Sequence, residues 1–515
     1  MLRARWLGRV PFAEALWIQR AVARYSQEQY LLMMEHPHIY TAGVRAQQSS
    51  VLVPLDALGA KLVRADRGGD VTYHGPGQLV AYPVLTVAGP GAGPQHVRRM
   101  EGFVAGVLRE IGLDAGTLDG YPGVWVDPGG SPRKICSIGT RVSRGRTMHG
   151  LALNVSTDLS YFERIRPCGI SDKPMTSLVE EGFDMTVRQV VEMMVAHAGD
   201  LAGDAEVEYA GVAWRDPGVH ATTHDHGMYR SVQRKPVWLR PKVRIGNDFL
   251  ATRRTVRNLG LVTVCEEAGC PNIFECYSNS TATFMINGDR CTRKCRFCLV
   301  DTRKPLPLDP SEPLRVAQAV KRMGLAHAVI TTVARDDLAD GGSLALAASV
   351  REIRRLSPGT AVELLISDCK GDARSLDSIF EARPDVLNHN IETVPRLQKQ
   401  VRSHANYARS LAVLSRAKQS GLLTKSGIMV GLGETEDEVL ETLSDLRAVG
   451  TDLLTVGQYL RPSANHLAVE RWWTPDDFAG LAEAAREMGF VHVQASPLAR
   501  SSYHAREGVL QMAAH

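Results

Sequence analysis

With 515 residues, the chain is too long for one hydrophobic core, so two or three domains are expected. Its 60 Lys and Arg residues are nearly balanced by 56 Asp and Glu residues, which argues against a nucleic-acid partner. No run reaches the ~20 apolar residues of a membrane helix, and the N-terminus lacks the apolar core of a signal peptide. These features predict a cytoplasmic protein with neither nucleic acid nor a membrane as a partner.

Residues 1–214 alternate helical and strand-like patterns, which predicts an α/β domain. The spacing of apolar residues predicts a helix in Ala13–Ala23 and strands in Val71–Tyr73 and Leu151–Val155. The segment Arg67–Val80 contains a glycine pair and a Gly-Pro-Gly turn, where a backbone comes close to its neighbours. Such a loop is either a tight turn or a binding site, and the pattern alone leaves both open.

A basic segment begins at Arg133. Five basic residues and no acidic one occur between Arg133 and Arg146, and Lys134 is among them. Two interpretations fit this segment: a solvated basic edge, or a docking surface for an acidic carrier protein.

A cysteine, Cys168, stands between Pro167 and Gly169. A cysteine becomes a nucleophile when a nearby cation favours its thiolate. Lys134 is a candidate for that cation, although the sequence does not show that the two residues meet.

Together these three motifs resemble the lipoyl(octanoyl) transferases, which share a fold with biotin and lipoate protein ligases. The resemblance spans essentially all of residues 1–214. It implies that Cys168 carries the octanoyl group as a thioester and that Lys134 tunes this cysteine. It also implies octanoyl-acyl carrier protein as donor and, as acceptors, the lipoyl domains of 2-oxoacid dehydrogenase E2 subunits and the glycine cleavage H protein. The acyl-binding residues it implies are Arg67, Gly68, Gly69, Asp70, Val71, Thr72, Tyr73, His74, Ser137, Ile138, Gly139, Gly150, Leu151 and Ala152.

Two residues depart from the family pattern. Asp70 stands where members of the family usually have glutamine, and Cys136 replaces a small residue. In an extended segment Cys136 and Lys134 share a face, so Cys136 is a rival nucleophile. The related ligases use ATP without a Walker loop, so the absence of such a loop decides little, and it is Cys168 that favours transfer over ligation.

Residues 215–233 are predicted to be a linker. The stretch is polar and poor in apolar residues. Its three histidines, His220, His224 and His226, lie within seven residues, but no framework around them indicates a metal site.

Six of the nine cysteines form two triplets between residues 265 and 298. Cys265, Cys270 and Cys276 make the first triplet, and Cys291, Cys295 and Cys298 make the second. Two triplets fit iron–sulfur ligation better than zinc, which takes four ligands per site, because three thiolates leave one iron of a 4Fe–4S cluster open. A zinc knuckle and a disulfide framework are the alternatives. Clustered free thiols also indicate a reducing compartment.

From residue 281 onward, strand and helix patterns alternate. Seven strand candidates recur at roughly the spacing of βα units in a parallel sheet: Thr281–Ile286, Ala328–Val333, Ala361–Ile366, Val386–Ile391, Ser426–Val430, Leu453–Val456 and Val491–Gln494. Capping boxes at Thr435 with Glu438 and at Thr474 with Asp477 predict helix starts. Six or seven units are too few for a closed eight-fold barrel, so the pattern favours a partial (β/α)6 barrel with its site at the C-terminal strand ends.

The second cysteine triplet resembles the signature of the radical S-adenosylmethionine (SAM) enzymes. Both triplets together, within the stretch from Arg234 to Arg506, resemble lipoyl synthase. This resemblance implies two 4Fe–4S clusters: a radical cluster on Cys291, Cys295 and Cys298, and an auxiliary cluster on Cys265, Cys270, Cys276 and Ser502. It further implies SAM as cofactor, an electron donor as partner, and sulfur insertion at C6 and C8 of the octanoyl chain, whose carbons carry no acidic proton for a base to remove.

Candidates for SAM contacts are four polar residues near predicted strand ends, namely Asp336, Asp337, Asn388 and Glu392. Arg335, beside the first two, fits a barrel salt bridge as well as a site. Cys369 lies outside both triplets and is interpreted as a buried structural thiol.

The sequence therefore predicts a two-domain α/β enzyme of lipoate biosynthesis. Residues 1–214 are expected to form the octanoyltransferase, 215–233 the linker, and 234–515 the lipoyl synthase, a partial barrel with extensions at both ends. The alternatives are an ATP-dependent lipoate ligase fused to another sulfur-inserting radical SAM enzyme, and a non-catalytic iron–sulfur redox sensor.

Overall fold

The computed structural model describes residues 1–54, 57, 59–89, 91–167, 173–203, 205–211, 235–239, 246–278 and 282–502. The chain divides into two compact units, Met1–Trp214 and Arg215–His515. The predicted linker at 215–233 and the predicted nucleophile Cys168 lie outside the described residues.

The first unit is an α/β structure built on a large mixed sheet. Its strands are β1 (Leu2–Arg9), β2 (Gln29–Glu35), β3 (Ile39–Ala42), β4 (Lys61–Arg64), β5 (Val71–His74), β6 (Gln78–Val84), β7 (Ala115–Leu118), β8 (Tyr121–Val126), β9 (Arg133–Ser143), β10 (Arg146–Asn154) and β11 (Val207–Gly211). Its helices are α1 (Phe12–Tyr25), α2 (Ala92–Ile111) and α3 (Val187–Ala196). The predicted helix and both predicted strands are therefore present.

Eight of these strands form one sheet in the order β11-β1-β2-β6-β10-β9-β8-β7, and β4-β3-β5 form a smaller sheet. Strand β1 runs parallel to both of its neighbours, whereas β2–β6, β6–β10 and β9–β10 are antiparallel pairs. Helix α2 packs its apolar face, which includes Met100, Val104 and Leu108, against the large sheet. The burial of this face holds the helix on the sheet.

The second unit alternates strands and helices. Its strands are β12 (Val262–Thr263), β13 (Thr283–Ile286), β14 (His327–Thr332), β15 (Ala361–Leu365), β16 (Val386–Asn388), β17 (Leu423–Val430), β18 (Leu453–Gln458) and β19 (His492–Ser496). Its helices are α4 (Asn247–Asn258), α5 (Val264–Glu267), α6 (Ile273–Ser278), α7 (Glu312–Met323), α8 (Ser343–Leu356), α9 (Ala373–Glu381), α10 (Gln398–Val401), α11 (Tyr407–Gln419), α12 (Glu436–Ala448) and α13 (Pro475–Glu487).

These strands form one sheet in chain order, from β12 at one edge to β19 at the other. Strands β13 to β19 are parallel, and β12 pairs antiparallel with β13. All seven predicted strands are present, which is one parallel strand more than a (β/α)6 barrel has. Because β12 and β19 remain at the edges, the sheet is a partial barrel.

The two faces of this sheet differ in character. Val362 and Leu364 on β15 belong to the apolar core shared with the helices. Glu363, between them, points to the other face, because side chains alternate along a strand. We call this the inner face of the sheet.

Helix ends in this unit follow the predicted capping residues. The Thr435 side chain accepts a hydrogen bond from the backbone of Glu438, and Thr474 does the same for Asp477, each as a reciprocal capping box. The last helix, α13, ends just before Gly489, whose φ of 90° is costly for other residues. None of the helices in the described part of the chain combines the length and apolar composition that crossing a bilayer requires.

Candidate active sites

A pocket in the first unit collects most of the predicted acyl-binding residues. Ten of those fourteen residues line it: Arg67, Gly69, Thr72, His74, Ser137, Ile138, Gly139, Gly150, Leu151 and Ala152. Strand register explains the convergence, because 137–139 on β9 pair with 150–152 on β10, and Leu151 and Ala152 pair in turn with β6. These two stretches thus meet on neighbouring strands, and the Gly68 N–H, which donates to the Thr140 carbonyl at 2.9 Å, joins the 67–74 stretch to them.

The predicted residues that do not line the pocket follow from the two-residue period of a strand. On β5, Thr72 and His74 face the pocket, whereas Val71 and Tyr73 belong to a separate apolar cluster. Gly68 and Asp70 are also absent from the pocket lining. The sequence motif therefore covers a continuous stretch of the chain, but only part of that stretch lines the pocket.

Asp70, the departure from the family pattern, serves the loop instead of the pocket. Its carboxylate accepts hydrogen bonds from the Ser50 hydroxyl at 2.6 Å and from the Val71 backbone N–H at 2.7 Å. The Arg67 guanidinium donates to the Asp70 carbonyl at 2.9 Å and to the Thr41 hydroxyl at 2.8 Å. These contacts fix the loop that carries Thr72 and His74.

Two buried hydroxyls in the pocket have no partner among the described residues. They are Thr72 Oγ1 and Ser137 Oγ. A buried hydroxyl without a hydrogen bond is costly, so both are suited to a polar group of a bound molecule. Nearby, His74 Nδ1 lies 2.8 Å from Gln78 Oε1, and burial lowers the pKa of His74 well below its usual value. The imidazole of His74 is therefore neutral at pH 7.

The structure adds four pocket residues that were not among the predicted acyl-binding residues: Phe12, Val80, Tyr82 and His149. His149 Nε2 lies 2.7 Å from the Asp66 carboxylate, and burial lowers the pKa of His149 although that carboxylate opposes the shift. Its position directly before Gly150 was the only sequence signal.

Lys134 is buried at the start of β9, with 2% of its surface exposed. Its Nζ lies 5.1 Å from the ring centroid of Trp125 on the neighbouring strand. A Cβ at Gly123 would lie 2.7 Å from Lys134 Cε, so glycine there makes room for the side chain. Among the described residues no carboxylate pairs with this ammonium group.

The chain that follows the predicted nucleophile runs beside Lys134. The Lys134 N–H donates to the Pro174 carbonyl at 2.9 Å, and the Thr176 N–H donates to the Lys134 carbonyl at 2.9 Å. Residues 168–172, which contain Cys168, immediately precede this pairing. Pro174, six positions after Cys168 in the sequence, is therefore a backbone neighbour of the lysine that was predicted to tune that cysteine.

Two of the five basic residues in the predicted basic segment pair with carboxylates, and two others, Lys134 and Arg146, are buried. Arg133 pairs with Glu181 at 2.8 Å, Arg141 pairs with Asp66, and Arg146 is buried and donates to the Thr86 hydroxyl at 2.8 Å. Of the five basic residues, only Arg144 is both exposed and without a carboxylate partner in the described part of the chain. Both interpretations of this segment, a solvated basic edge and a docking surface for an acidic carrier protein, stay predictions.

Cys136, the rival nucleophile, lies in the apolar core. It is fully buried among residues such as Met100 and Val104, and it does not line the pocket. Its Sγ contacts the Ser137 carbonyl at 3.7 Å. A thiol in this position favours the neutral form, which is a poor nucleophile.

In the second unit, the first cysteine triplet spans α5, the following turn and α6. Burial, reinforced by the neighbouring thiols, raises the pKa of Cys265 to about 11 and that of Cys276 to about 12, and burial also raises the pKa of Cys270. Within this stretch, Asn272 Nδ2 donates to the Leu498 carbonyl at 2.8 Å. This contact brings the triplet to the chain segment that precedes Ser502.

The second triplet follows β13, at the C-terminal end of the parallel strands. Cys291 Sγ accepts hydrogen bonds from the backbone N–H groups of Arg293 at 3.4 Å and Ala334 at 3.3 Å. Burial raises the pKa of Cys295, and raises that of Cys298 to about 12. Backbone donors to sulfur favour a thiolate and are a usual feature of iron–sulfur ligation.

Both triplets fit a 4Fe–4S cluster. The described residues contain no group of three or more His, Cys, Asp or Glu side chains arranged to hold a single metal ion. A cluster makes a different demand, because each cysteine binds a different iron. Each triplet brings three thiols, shielded from water, within electrostatic reach of one another. Coordination would deprotonate these thiols despite their burial.

Two of the four candidates for SAM contacts are engaged in ion pairs. Arg293 reaches the Asp336 carboxylate at 2.7 and 2.9 Å. Arg335 holds the Asp337 carboxylate at 2.9 Å through two nitrogens, as the salt-bridge interpretation of this residue expects. Both carboxylates orient the loop after β14, next to the second triplet.

The other two candidates differ in position. Asn388 is fully buried on the inner face and donates to Glu363 at 2.8 Å. Glu392 has a φ of 67°, burial raises its pKa, and its charge acts on both Cys295 and Cys298. A positive φ is costly for a residue other than glycine, and such strain occurs most often at functional sites, so Glu392 stays a candidate for a SAM contact.

Cys369 is buried, with its Sγ 3.8 Å from the Ser367 hydroxyl, and burial raises its pKa to about 11. These surroundings fit the structural thiol that the sequence indicated.

Comparison with known proteins matches both halves of the chain. Residues 9–199 match the model of the lipoyl protein ligase A/B catalytic domain. Residues 223–270 match the N-terminal domain of lipoyl synthase of the radical SAM family, and residues 285–446 match the radical SAM superfamily.

Individual relatives agree with these matches. A lipoyl synthase from Rubrobacter xylanophilus is 56% identical over 275 residues, which are 53% of this chain and 86% of that protein. Lipoyl synthase from Mycobacterium tuberculosis is 54% identical over 274 residues, which are 53% of this chain and 88% of that protein. The solved structure of a bipartite lipoate protein ligase from Thermoplasma acidophilum aligns at 20% identity with a TM-score of 0.35, covering 42% of this chain and 88% of that one.

Proposed function

Because the chain belongs to the lipoyl synthase family and carries a lipoate ligase/octanoyltransferase-like catalytic domain, we propose that it performs two consecutive steps of protein lipoylation. The first unit transfers octanoyl from acyl carrier protein to a lysine of a lipoyl domain. The second unit inserts two sulfurs into the attached chain. Residues 215–233 act as the linker between them.

The observation that carries the transferase assignment is the buried ammonium of Lys134 beside the chain that returns from Cys168. A buried cation without a carboxylate partner stabilises an anion brought next to it. The Cys168 thiolate is that anion in the resting enzyme. The carboxylate of a free acid would also be stabilised by this lysine, so it is the nucleophile Cys168 that favours transfer over ATP-dependent ligation.

Transfer then proceeds by two acyl substitutions. The Cys168 thiolate attacks the thioester carbonyl of octanoyl-acyl carrier protein, forming a new sulfur–carbon bond as the carrier leaves as a thiolate and takes a proton. The amino group of the target lysine next attacks the enzyme thioester, forming the amide as the Cys168 thiolate departs and the amine proton is lost. The Lys134 ammonium stabilises the thiolate, and the apolar side chains of Val80, Leu151 and Phe12 receive the alkyl chain.

In the second unit we assign two 4Fe–4S clusters. Cys291, Cys295 and Cys298 hold one, and Cys265, Cys270, Cys276 and Ser502 hold the other. When bound, the first cluster and SAM supply the radical that unactivated C–H bonds at C6 and C8 require, and the second cluster supplies sulfur. Arg293 holds Asp336 in the loop beside the second triplet, and Glu392 faces the same thiols.

The partners follow from these reactions. They are octanoyl-acyl carrier protein, the lipoyl domains of 2-oxoacid dehydrogenase E2 subunits and glycine cleavage H protein, and an electron donor. The six free thiols of the two triplets indicate a reducing compartment, so we place the protein in the cytoplasm.

The test of the transferase step is octanoyl transfer to a lipoyl domain in the absence of ATP. The Cys168→Ala variant is expected to lose transfer and the acyl-enzyme, whereas Cys136→Ala, which removes a core thiol, keeps both. If the wild type transfers only when ATP and free octanoate are supplied, the first unit is a ligase and the transferase assignment fails.

A further inference from the structure

The C-terminal segment Leu498–Ser502 lies against the inner face of the second unit's sheet. A Cβ on Gly427 of β17 would lie 3.4 Å from Ser501 Oγ, and a Cβ on Gly457 of β18 would collide with the Ala499 carbonyl. These two glycines leave the space that the segment fills. Any larger residue at Gly457 would displace it.

A buried ammonium group reaches this segment from the strand. Lys425 on β17 is 5% exposed, and its Nζ donates to the Ser501 carbonyl at 2.5 Å. The same Nζ lies 3.1 and 3.3 Å from the two oxygens of Glu363 on β15. Glu363 is fully buried and also accepts from Asn388 at 2.8 Å. The Glu363 carboxylate thus orients the Lys425 ammonium group toward the Ser501 carbonyl.

A second donor holds the same residue through its side chain. Asn390 Nδ2 donates to Ser501 Oγ at 2.7 Å. Upstream, the Leu498 carbonyl accepts from Asn272, which lies between two cysteines of the first triplet. The segment is therefore held at both ends, once by the cysteine stretch and twice by the inner face.

The contact of Lys425 with Ser501 bears directly on Ser502. The Ser501 carbonyl belongs to the planar peptide unit that also contains the Ser502 nitrogen and Cα. A hydrogen-bond donor that fixes this carbonyl therefore also fixes the Ser502 Cα, to which the Ser502 side chain is attached. Hydrogen bonds from a charged donor are stronger than neutral ones, so the contact from Lys425 is a strong restraint on the Ser501 carbonyl.

We propose that Lys425, oriented by Glu363, is a positioning residue that seats Ser501 and thereby presents Ser502 to the first cysteine triplet. The inference rests on the proposed role of Ser502 as a ligand of the auxiliary cluster. It assigns a function to a buried ion pair that lies outside both triplets. The pair acts through its hydrogen bond to the backbone carbonyl of Ser501.

The test compares hydrogen exchange of the peptide containing residues 498–502 in the full-length, cluster-loaded protein. Lys425→Met alone leaves Glu363 unpaired, so the decisive variant is Lys425→Met combined with Glu363→Gln, which removes both charges and keeps an acceptor for Asn388. We expect exchange in this peptide to accelerate roughly ten- to a hundredfold, the range for losing one charge-assisted hydrogen bond. Iron release from one cluster to a chelator is expected to accelerate with it.

Lys418→Met is the matched control, because Lys418 pairs with Asp452 at 2.7 Å and is not among the residues that contact the segment. Exchange in the 498–502 peptide should not change in this variant. If exchange in the double variant also equals that of the wild type, Lys425 does not seat the segment and the inference is overturned.

A Ser502→Ala variant distinguishes the positioning of the segment by Lys425 from the proposed role of Ser502 as a ligand of the auxiliary cluster. It should keep slow exchange at 498–501 while releasing iron faster. If Ser502→Ala releases iron at the wild-type rate, Ser502 is not a ligand, and that part of the proposed function fails. The exchange result still decides whether Lys425 seats the segment.

Discussion

At the level of single residues, the proposed transfer reaction depends on the charge of Lys134. Lys134 is buried, and in the described part of the chain its ammonium meets an aromatic ring and no carboxylate. Burying a charge in this way costs free energy that folding has to offset. An anion next to Lys134 would offset that cost, and in the proposed reaction this anion is the Cys168 thiolate.

The Lys134→Met variant tests this charge with little change in side-chain volume. Removing the cation is expected to raise the pKa of Cys168 by about one unit or more, because an opposite charge nearby favours the thiolate. The curve of thiol alkylation against pH should therefore move to higher pH, with less reaction at pH 7. The measurement is the rate of iodoacetamide labelling of Cys168, followed by peptide mass spectrometry. An unmoved curve would remove Lys134 from this role.

Trp125 is expected to position Lys134. Its ring lies 5.1 Å from Lys134 Nζ, and its own Nε1 donates to the Tyr121 carbonyl at 3.0 Å. A buried cation–π contact contributes about 2 kcal/mol. Trp125→Leu should therefore shift the alkylation curve in the same direction as Lys134→Met, whereas Trp125→Phe keeps a ring and should shift it less. Equal shifts in both variants would indicate a packing effect only.

At the scale of strands and helices, close backbone approach shapes the pocket. A Cβ on Gly150 would collide with the Ala81 carbonyl of β6 and lie 2.7 Å from Pro83 Cδ. Gly150→Ala is expected to lower the free energy of unfolding by about 1–3 kcal/mol, the usual cost of overpacking, and to slow octanoyl transfer. The readouts are denaturant unfolding and the transfer rate.

Gly106 in α2 supplies the matched control for this substitution. A Cβ there meets no atom within 4 Å among the described residues. Gly106→Ala should stabilise the first unit by about 0.5–1 kcal/mol, because alanine is the better helix former, and leave transfer unchanged. Equal changes in the free energy of unfolding and in the transfer rate for the two variants would contradict the collision expected at Gly150.

The two cysteine triplets lie on separate elements, so we expect separate clusters. The first spans α5 and α6, and the second follows β13. Cys295→Ala should lose SAM cleavage and about half of the roughly eight irons, whereas Cys270→Ala should lose sulfur insertion and keep some SAM cleavage. Iron analysis and detection of 5′-deoxyadenosine measure both. Loss of all iron in either variant would mean that the triplets are not independent sites.

The elements themselves were largely predictable from the sequence. All seven parallel strands followed from apolar runs at regular spacing, because strands covered on both faces leave a clear pattern. The capping boxes at Thr435 and Thr474 marked the starts of α12 and α13. These signals are local, so a single sequence carries them.

Contacts between distant elements were not predictable. The hydrogen bond from Asn272 to Leu498 joins residues 226 positions apart, and Lys134 meets Trp125 through strand pairing. The pairing of Asp336 with Arg293 likewise depends on two loops that meet only in the fold. Composition and motif spacing indicate which residues are able to act in catalysis or metal binding. The register of the sheets decides which of these residues contact one another.

At the scale of the whole molecule, the proposed reactions share one substrate. The octanoylated lipoyl domain is the product of the first unit and the substrate of the second, so the order is obligatory. A chain that contains both units provides them in equal numbers. The central claim is therefore that this one chain converts an unmodified lipoyl domain to the lipoylated form.

The most direct measurement is intact mass spectrometry of an unmodified lipoyl domain incubated with the full chain, octanoyl-acyl carrier protein, SAM and a reductant, without ATP. We predict that the octanoylated domain appears first and is then converted to the lipoylated one, with 5′-deoxyadenosine formed alongside. Omitting SAM should stop the reaction at the octanoylated domain. A domain that stays unmodified without ATP, or one that is octanoylated but never gains sulfur when SAM and reductant are present, would contradict the account.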